Sequence, residues 1–374
     1  MLINNLSRYD RLKRYMEEEG LDVTVVISPE NTLYFAETYI MTQTDIRDRL
    51  AIVVLPLSGE PAMIACGIEQ GTVEAETWIK DKRYYIEFQE SPIQFLTDVL
   101  NEKGLIKKKV GIELDYLMAH YYKELVERMP GADFVSCTRL FDKVKMIKED
   151  KEIAILSEAA NITRESLEKA LTEVHPGCTE RLFSSKVKIN MLKGGADKIS
   201  FFVMGSGAKS IQVHALPDDT VMEDGEVMRL DFGGLFKGNY QSDFARTVMI
   251  GKPNPKYLDI YNRLTEVYQH VISCMKIGVT AAELYDICSR KFKEYNLPFS
   301  SPHIGHSLGI GLHEFPMLSP KEDFALEENM VFNIEPIVVA EGRMFHMEDL
   351  IQITPEGPKI LSNHDFNPGV LSII

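Results

Sequence analysis

Five residues of metal-binding type stand in strand-like surroundings: Asp231, Asp243, His306, Glu335 and Glu348. Asp231 follows the apolar run Val227-Met228-Leu230, interrupted by Arg229, and Asp243 precedes Phe244-Ala245-Arg246-Thr247-Val248-Met249-Ile250. Gly233, Gly234, Gly238 and Asn239 lie between them, which is hairpin-turn chemistry. Glu335 ends the run Met330-Val331-Phe332-Asn333-Ile334, and Glu348 opens the run Leu350-Ile351-Gln352-Ile353. Carboxylates among apolar neighbours are costly to bury alone and call for a cation. Four of them carry too much charge for one divalent ion, so two bridged ions are the natural reading. Oxygen-rich ligands with one imidazole suit Mn²⁺, Fe²⁺, Co²⁺ or Zn²⁺. A pair of such ions lowers the pKa of a bridging water and clamps the attacking oxygen.

Further histidines surround this set. The segment HIGHSLGIGLHEFP (303–316) carries His303, His306 and His313, and His214 lies seventeen residues before Asp231. Gly305, Gly309 and Gly311 would let the backbone approach a ligand or metal closely. The Gly309-Ile310-Gly311 pattern lacks the strand–GxGxxG–helix context of a nucleotide loop and is not read as one. His303 and His346 read as satisfied structural histidines, whereas His120, His175, His270 and His364 receive no role. Arg246 and His346 are placed beside the site as supports of its ligands, Arg246 through an ion pair.

The elements that must position these residues follow a repeated plan. Ile153, Leu156, Ala160, Thr163, Leu167, Ala170 and Val174 recur at three- and four-residue spacings, as on one face of a helix. His175-Pro176-Gly177 stops that helix, and Thr179 can cap the next. A second long helix uses Leu258, Tyr261, Leu264, Tyr268, Val271 and Met275 and stops at Ile277-Gly278. Thr280 with Glu283 then forms a capping-box pattern. Gly177 and Gly278 are 101 residues apart, Asp231 and Glu335 104, Asp243 and Glu348 105. A near-constant offset marks an internal duplication, and two such halves would face their acidic strands across a pseudo-two-fold axis.

Upstream, VTVVIS (23–28), RLAIVVLP (49–56) and PAMIA (61–65) read as strands, and 7–19, 92–103 and 116–128 as helices. They predict a small α/β domain over 1–145, followed by a second domain over 146–374. The charged segment MIKEDKE (146–152) lacks Gly and Pro and reads as the start of a helix.

The 374 residues carry a formal net charge of −15. That acidic balance argues against a nucleic-acid partner and against an anionic membrane surface. The N-terminal segment has no apolar core of a signal peptide, and no apolar stretch approaches a membrane span. A cytoplasmic protein is the expectation. Cys66, Cys137, Cys178, Cys274 and Cys288 are odd in number, scattered and free of CxxC pairs, so buried thiols are expected rather than disulfides or a thiolate metal site.

The ordered set Asp231, Asp243, His306, Glu335 and Glu348 resembles the ligands of the metallopeptidases that include methionine aminopeptidase, aminopeptidase P and prolidase. NTLYFA (31–36) resembles the N-terminal domain that aminopeptidase P, prolidase and creatinase share, and KMIKEDKEIAIL resembles the junction to their catalytic domain. The resemblance implies an α+β chain with a duplicated pita-bread catalytic domain behind a smaller creatinase-like α/β domain. It implies that Asp231 chelates one metal, that Asp243 and Glu348 bridge both, and that His306 binds the second. Glu335 would be both ligand and proton shuttle, with His214 and His313 hydrogen-bonding the substrate and the tetrahedral intermediate. The step from His306 to His313, followed by Glu-x-Pro, matches the family.

The activity so implied is hydrolysis of the Xaa-Pro amide bond at the N-terminus of peptides or dipeptides. Mn²⁺ is the family's usual bacterial metal, and a homodimer its usual assembly. Three departures stand out. Asp231 and Asp243 are twelve residues apart where most relatives have eleven. His346 stands where relatives carry Arg, two residues before the last Glu. No Arg lies between His313 and Glu335, where dipeptidases often hold the substrate carboxylate. The alternatives are a related hydrolase of a small non-peptide amide and a non-catalytic peptide-binding module. Members of that last kind typically lose ligands, and this chain keeps all five.

Overall fold

The computed structural model describes residues 5–362 and 371–373, so His364 lies outside the described residues. The chain divides into two compact units, Met1–Lys145 and Met146–Ile374.

The first unit is built on strands β1 (Val23–Val26), β2 (Ile52–Pro56), β3 (Ala62–Cys66), β4 (Asp81–Tyr85), β5 (Lys109–Ile112) and β6 (Asp133–Ser136), in the order β4-β3-β2-β1-β5-β6. β1 runs antiparallel to β2 and parallel to β5, and helices cover the mixed sheet. Every residue of β1, β2 and β3 is buried, which explains their continuous apolar character. NTLYFA lies in the helix Pro29–Ala36, capped by Ser28. Buried Glu113 holds the turn into that helix: it accepts from Ser28 N–H (2.8 Å), Ser28 Oγ (2.8 Å), Asn31 Nδ2 (2.6 Å) and the Ile27 amide. Four donors on one carboxylate are what make its burial tolerable.

The second unit repeats one plan twice. Helices Asp150–Leu171 and Glu180–Gly194 precede β7 (Lys198–Ser206), β8 (Val227–Phe236), β9 (Tyr240–Gln241) and β10 (Phe244–Ile250). Helices Pro255–Ser273 and Ala281–Glu294 precede β11 (Gly305–Ser307), β12 (Glu314–Met317), β13 (Val331–Ile334), β14 (Ile337–Ala340), β15 (Arg343–His346), β16 (Asp349–Thr354) and β17 (Gly357–Ile360). β18 (Leu371–Ile373) pairs in parallel with β10 at the edge of the first half's sheet. Thr179 and Thr280 cap their helices as the sequence predicts, and Glu149 adds a cap of its own. Glu149 and Glu152 form a capping box, Thr179 Oγ1 accepts from Leu182 N–H, and Thr280 and Glu283 form a second box.

The duplication also appears in the backbone. Gly177 N–H donates to Met222 O (2.8 Å) and Met222 N–H to Cys178 O (2.9 Å); in the second half Gly278 N–H donates to Leu326 O (2.9 Å) and Leu326 N–H to Val279 O (2.8 Å). Isolated bridges Thr179↔Val221 and Thr280↔Ala325 complete the match. Each half packs its helices onto its own sheet. Leu167, Phe183 and Val187 meet Met228 and Leu230 in the first, and Leu264, Tyr268 and Leu284 meet Phe332 and Ile351 in the second. Cys66, Cys137, Cys178 and Cys288 are buried free thiols, and Cys274 is half-buried.

Candidate metal centre

The two acidic strand pairs bring their carboxylates to one place through register alone. Antiparallel pairing sets Asp231 opposite Ala245, with β10 and β8 in register from Phe244↔Phe232 to Met249↔Val227. Asp243, two residues before Ala245, projects to the same face as Asp231. The twelve-residue spacing is absorbed where the sequence puts it. Leu235↔Gln241 and Phe236↔Tyr240 keep the register, and Lys237–Asn239 make a tight turn with Gly238 at φ 72° and Asn239 at φ 59°. A Cβ on Gly233 would lie 1.8 Å from Ser242 O, so the chain can pass beside Asp243 only with glycine there.

In the second half β13 and β16 pair from Val331↔Gln352 to Ile334↔Asp349, and β14 and β15 from Ile337↔His346 to Ala340↔Arg343. Glu335 and Glu348 face each other in the break between these ladders. Glu341 and Gly342, at φ 51° and 66°, make the hairpin turn. The bridge Ala245↔Glu348, with Glu348 N–H donating to Ala245 O at 3.0 Å, joins the two halves at the carboxylates.

The result is one cluster. His306 Nε2 lies 3.6 Å from Asp243 Oδ2, 3.5 Å from Glu335 Oε1 and 3.7 Å from Glu348 Oε1. Ligand atoms of Asp231, Asp243 and Glu348, of His306, Glu335 and Glu348, and of Asp243, His306 and His313 each converge within 4.8 Å. Asp231 Oδ1, Asp243 Oδ1, His306 Nε2 and Glu335 Oε1 are buried without a hydrogen-bond partner. Buried polar atoms are nearly always satisfied, so four convergent orphans fit a divalent cation. Protonation tells the same story. Burial and the neighbouring Glu348, Asp231 and Glu335 push Asp243 well above the carboxylate range. Burial, then Asp231, pushes Glu348 well above it too, and burial with Glu348 raises Glu335 to about 8. Asp231 is raised by burial against the pull of Arg229. Without cations this much negative charge cannot coexist.

The remaining residues sort into three kinds. His313 stacks on His306 with ring centroids 3.8 Å apart, and burial followed by His306 lowers it to about 4. His214 is exposed, and it acts on Asp231 electrostatically. Arg246 forms the expected ion pair: Nη2 donates to both oxygens of buried Asp349 at 2.7 Å, and Nη1 donates to Glu348 O at 2.7 Å. Asp349 also accepts from Tyr268 Oη and Ser362 Oγ, both at 2.5 Å.

Three sequence expectations need correction. His303 and His346 are not fully satisfied: His303 Nδ1 sits 3.3 Å from Glu335 Oε1 and His346 Nε2 3.8 Å from Glu335 Oε2, neither with a hydrogen-bond partner, while His346 Nδ1 accepts from Arg229 and the ring stands beside the site as a support would. Nor do Gly305, Gly309 and Gly311 make room for a ligand. A Cβ on Gly305 would lie 2.1 Å from Asn333 O, and on Gly309 2.5 Å from Glu314 Oε2. Their space belongs to the protein's own backbone and to Glu314.

Two residues escaped the sequence reading. Glu314 accepts from Gly311 N–H at 3.0 Å and pairs with buried Lys148 at 2.7 Å, fixing the loop that carries His313. Arg229, fully buried, donates to Asp231 Oδ2 at 2.9 Å and to His346 Nδ1 at 3.1 Å. Its signal was present, because an arginine between Met228 and Leu230 in a buried strand must find an acceptor.

Comparison with known proteins agrees with this fold. The model of metallopeptidase family M24 matches residues 154–355, and that of the creatinase/prolidase N-terminal domain matches residues 8–147. The chain belongs to metallopeptidase family M24, and its fold is a pita-bread catalytic domain behind a creatinase-type N-terminal domain. It is 29% identical over 364 residues to an Xaa-Pro dipeptidase of Pyrococcus furiosus, with 95% of this chain and 97% of that one covered. An Xaa-Pro dipeptidase of Pyrococcus horikoshii is 32% identical over 258 residues, covering 68% of this chain and 73% of its own. Among solved structures, an Xaa-Pro dipeptidase from Bacillus anthracis matches at a TM-score of 0.87 and 26% identity, over 99% of this chain and 100% of the other.

Proposed function

We propose that this chain hydrolyses the Xaa-Pro amide bond at the N-terminus of peptides or dipeptides, at a two-metal centre held by Asp231, Asp243, His306, Glu335 and Glu348. The observation that carries the reading is the set of buried, unpartnered ligand atoms converging from both halves of the catalytic unit. In it Asp231 would hold one metal and His306 the other, with Asp243 and Glu348 shared between them. Bound divalent ions supply Lewis-acid polarisation and a nucleophile at neutral pH.

The protein's own residues account for the rest. Glu335, whose Oε1 lies 3.5 Å from His306 Nε2 without a hydrogen-bond partner, would take up and return a proton. His313 is neutral near pH 7 and can donate to the oxygen on which charge develops. His214, exposed and felt electrostatically by Asp231, would bind substrate. Arg246 and Asp349 fix the backbone at Glu348, so the bridging carboxylate cannot swing. Mn²⁺ is the proposed metal, and a cytoplasmic homodimer the proposed form. The names of the M24 relatives support the proline-peptide substrate.

The test is hydrolysis of Ala-Pro, Ala-Pro-Ala and Ala-Ala-Ala by Mn²⁺-loaded protein. Cleavage before proline, with Ala-Ala-Ala left intact, is the expected result. Two bound metals with no cleavage of either proline peptide would overturn the substrate assignment.

A further inference from the structure

Beside the five ligands lies a buried pair that the proposed reaction does not use, Arg229 and His346, 1% and 0% exposed. Arg229 stands in β8 two residues before Asp231, and His346 closes β15 two residues before Glu348. Arginine has donors only. Its Nη2 reaches Asp231 Oδ2 at 2.9 Å and His346 Nδ1 at 3.1 Å, while Nη1 donates to Val213 O. An imidazole nitrogen that faces a donor must offer a lone pair, so the proton of the neutral ring sits on Nε2. That Nε2 has no hydrogen-bond partner, and it faces Glu335 Oε2 at 3.8 Å and Glu348 Oε2 at 3.9 Å.

His306 is arranged the opposite way. Its Nδ1 lies 3.0 Å from Ser307 O, which only accepts, so Nδ1 carries the proton and Nε2 keeps the lone pair. Two equally buried histidines in one cluster therefore present different chemistry to it. One offers a ligand atom and the other an N–H.

We propose that Arg229 is a positioning residue: it holds His346 as the Nε2–H tautomer, so that His346 turns its N–H toward Oε2 of Glu335 and of Glu348 and is barred from becoming a sixth metal ligand. The same guanidinium offsets the charge of Asp231, joining β8 of one half to β15 of the other. This inference rests on the metal-centre reading above.

The test is nitrogen NMR of the full-length protein, histidine-labelled and loaded with diamagnetic Zn²⁺. Metal content is measured first: fewer than two ions per chain would sink the metal-centre reading and, with it, this inference, whereas two ions with the wrong tautomer sink this inference alone. Resonances of His346 are identified by their loss in His346→Gln. The expected spectrum has a proton on Nε2 and an unprotonated, hydrogen-bonded Nδ1. A metal-bound Nε2, or a proton on Nδ1, overturns the proposal, and this arm needs neither Arg229→Met nor His346→Leu to fold.

Zn²⁺ affinity gives a second arm. Arg229→Met and His346→Leu should each weaken binding about ten- to hundredfold. His346→Gln, whose carbonyl can accept from Arg229 and whose amide can donate to the carboxylates, should stay within about threefold of wild type. Equal losses in the Gln and Leu variants would contradict a donor role.

Discussion

The two halves of the catalytic unit share a backbone plan and a pair of carboxylates, but they differ at the position where one of them gains an imidazole. In the first half Val203 pairs with Asp231, and in the second Glu335 N–H donates to Ile304 O. Two residues further along each strand stand Gly205 and His306. The first half cannot take a side chain there, because a Cβ on Gly205 would lie 2.7 Å from Lys209 O. Two residues before the first carboxylate the halves differ again. Arg229 donates to Asp231, and Asn333 donates to Glu348 Oε1 at 3.0 Å. The duplication thus supplies four carboxylates symmetrically, and departures from it supply the imidazole and the one cation. A symmetric fold carries an asymmetric centre. In the proposed two-metal reading, one position would have a nitrogen ligand and the other oxygens alone.

The largest expected effect comes from Glu335, the carboxylate to which the proposed reaction gives a role that its counterpart Asp231 lacks. Glu335→Gln should lower kcat by about a thousandfold while metal content and circular dichroism stay near wild type; activity within tenfold of wild type would remove its role as shuttle. Arg246→Met should cost about 3–5 kcal/mol of stability, because it leaves the buried Asp349 carboxylate without its cation. Urea unfolding reads this directly, and a loss under about 1 kcal/mol would show that Tyr268 and Ser362 suffice for Asp349.

Metal removal should expose the repulsion between the halves. A carboxyl whose pKa is raised by folding costs stability as pH climbs from its unfolded value through its folded one, and for Glu335 that window runs from 4.5 to about 8. Metal-free protein should therefore melt at lower temperature as pH rises through this window, with the gap to metal-loaded protein widening. A gap constant with pH would contradict the electrostatic account.

Two smaller effects sharpen the comparison itself. Gly205→Ala should destabilise the first half by about 1–3 kcal/mol through overpacking against the Lys209 carbonyl. Denaturant midpoints check it, and a neutral result would mean that the asymmetry at Gly205 and His306 is not steric. The paired caps should behave alike: Thr179→Ala and Thr280→Ala should each cost about 1 kcal/mol, with equal losses expected from equivalent positions.

Much of this was legible in residues whose meaning is local. Thr179, Thr280 and Glu283 announce helix starts, glycines mark the hairpin between Asp231 and Asp243, and the offset of the carboxylates discloses the duplication before any strand is seen. What escaped was non-local or disguised. Strands β4 and β6, reading DKRYY and DFVS, are largely half-buried or exposed and carry no apolar alternation. The Lys148–Glu314 pair joins residues 166 positions apart. His303 and His346 looked ordinary because their neighbours in sequence are not their neighbours in space. Arg229 was the one legible miss, since a charged residue inside a buried apolar run always needs a partner.

The claim that both halves hold one shared centre is tested most directly by calorimetric titration of chelator-stripped protein with Mn²⁺, wild type beside Asp243→Ala. Two ions per chain in the wild type, with both weakened when one of the two bridging carboxylates is removed, is the predicted result. Retention of both sites at unchanged affinity in Asp243→Ala would contradict it.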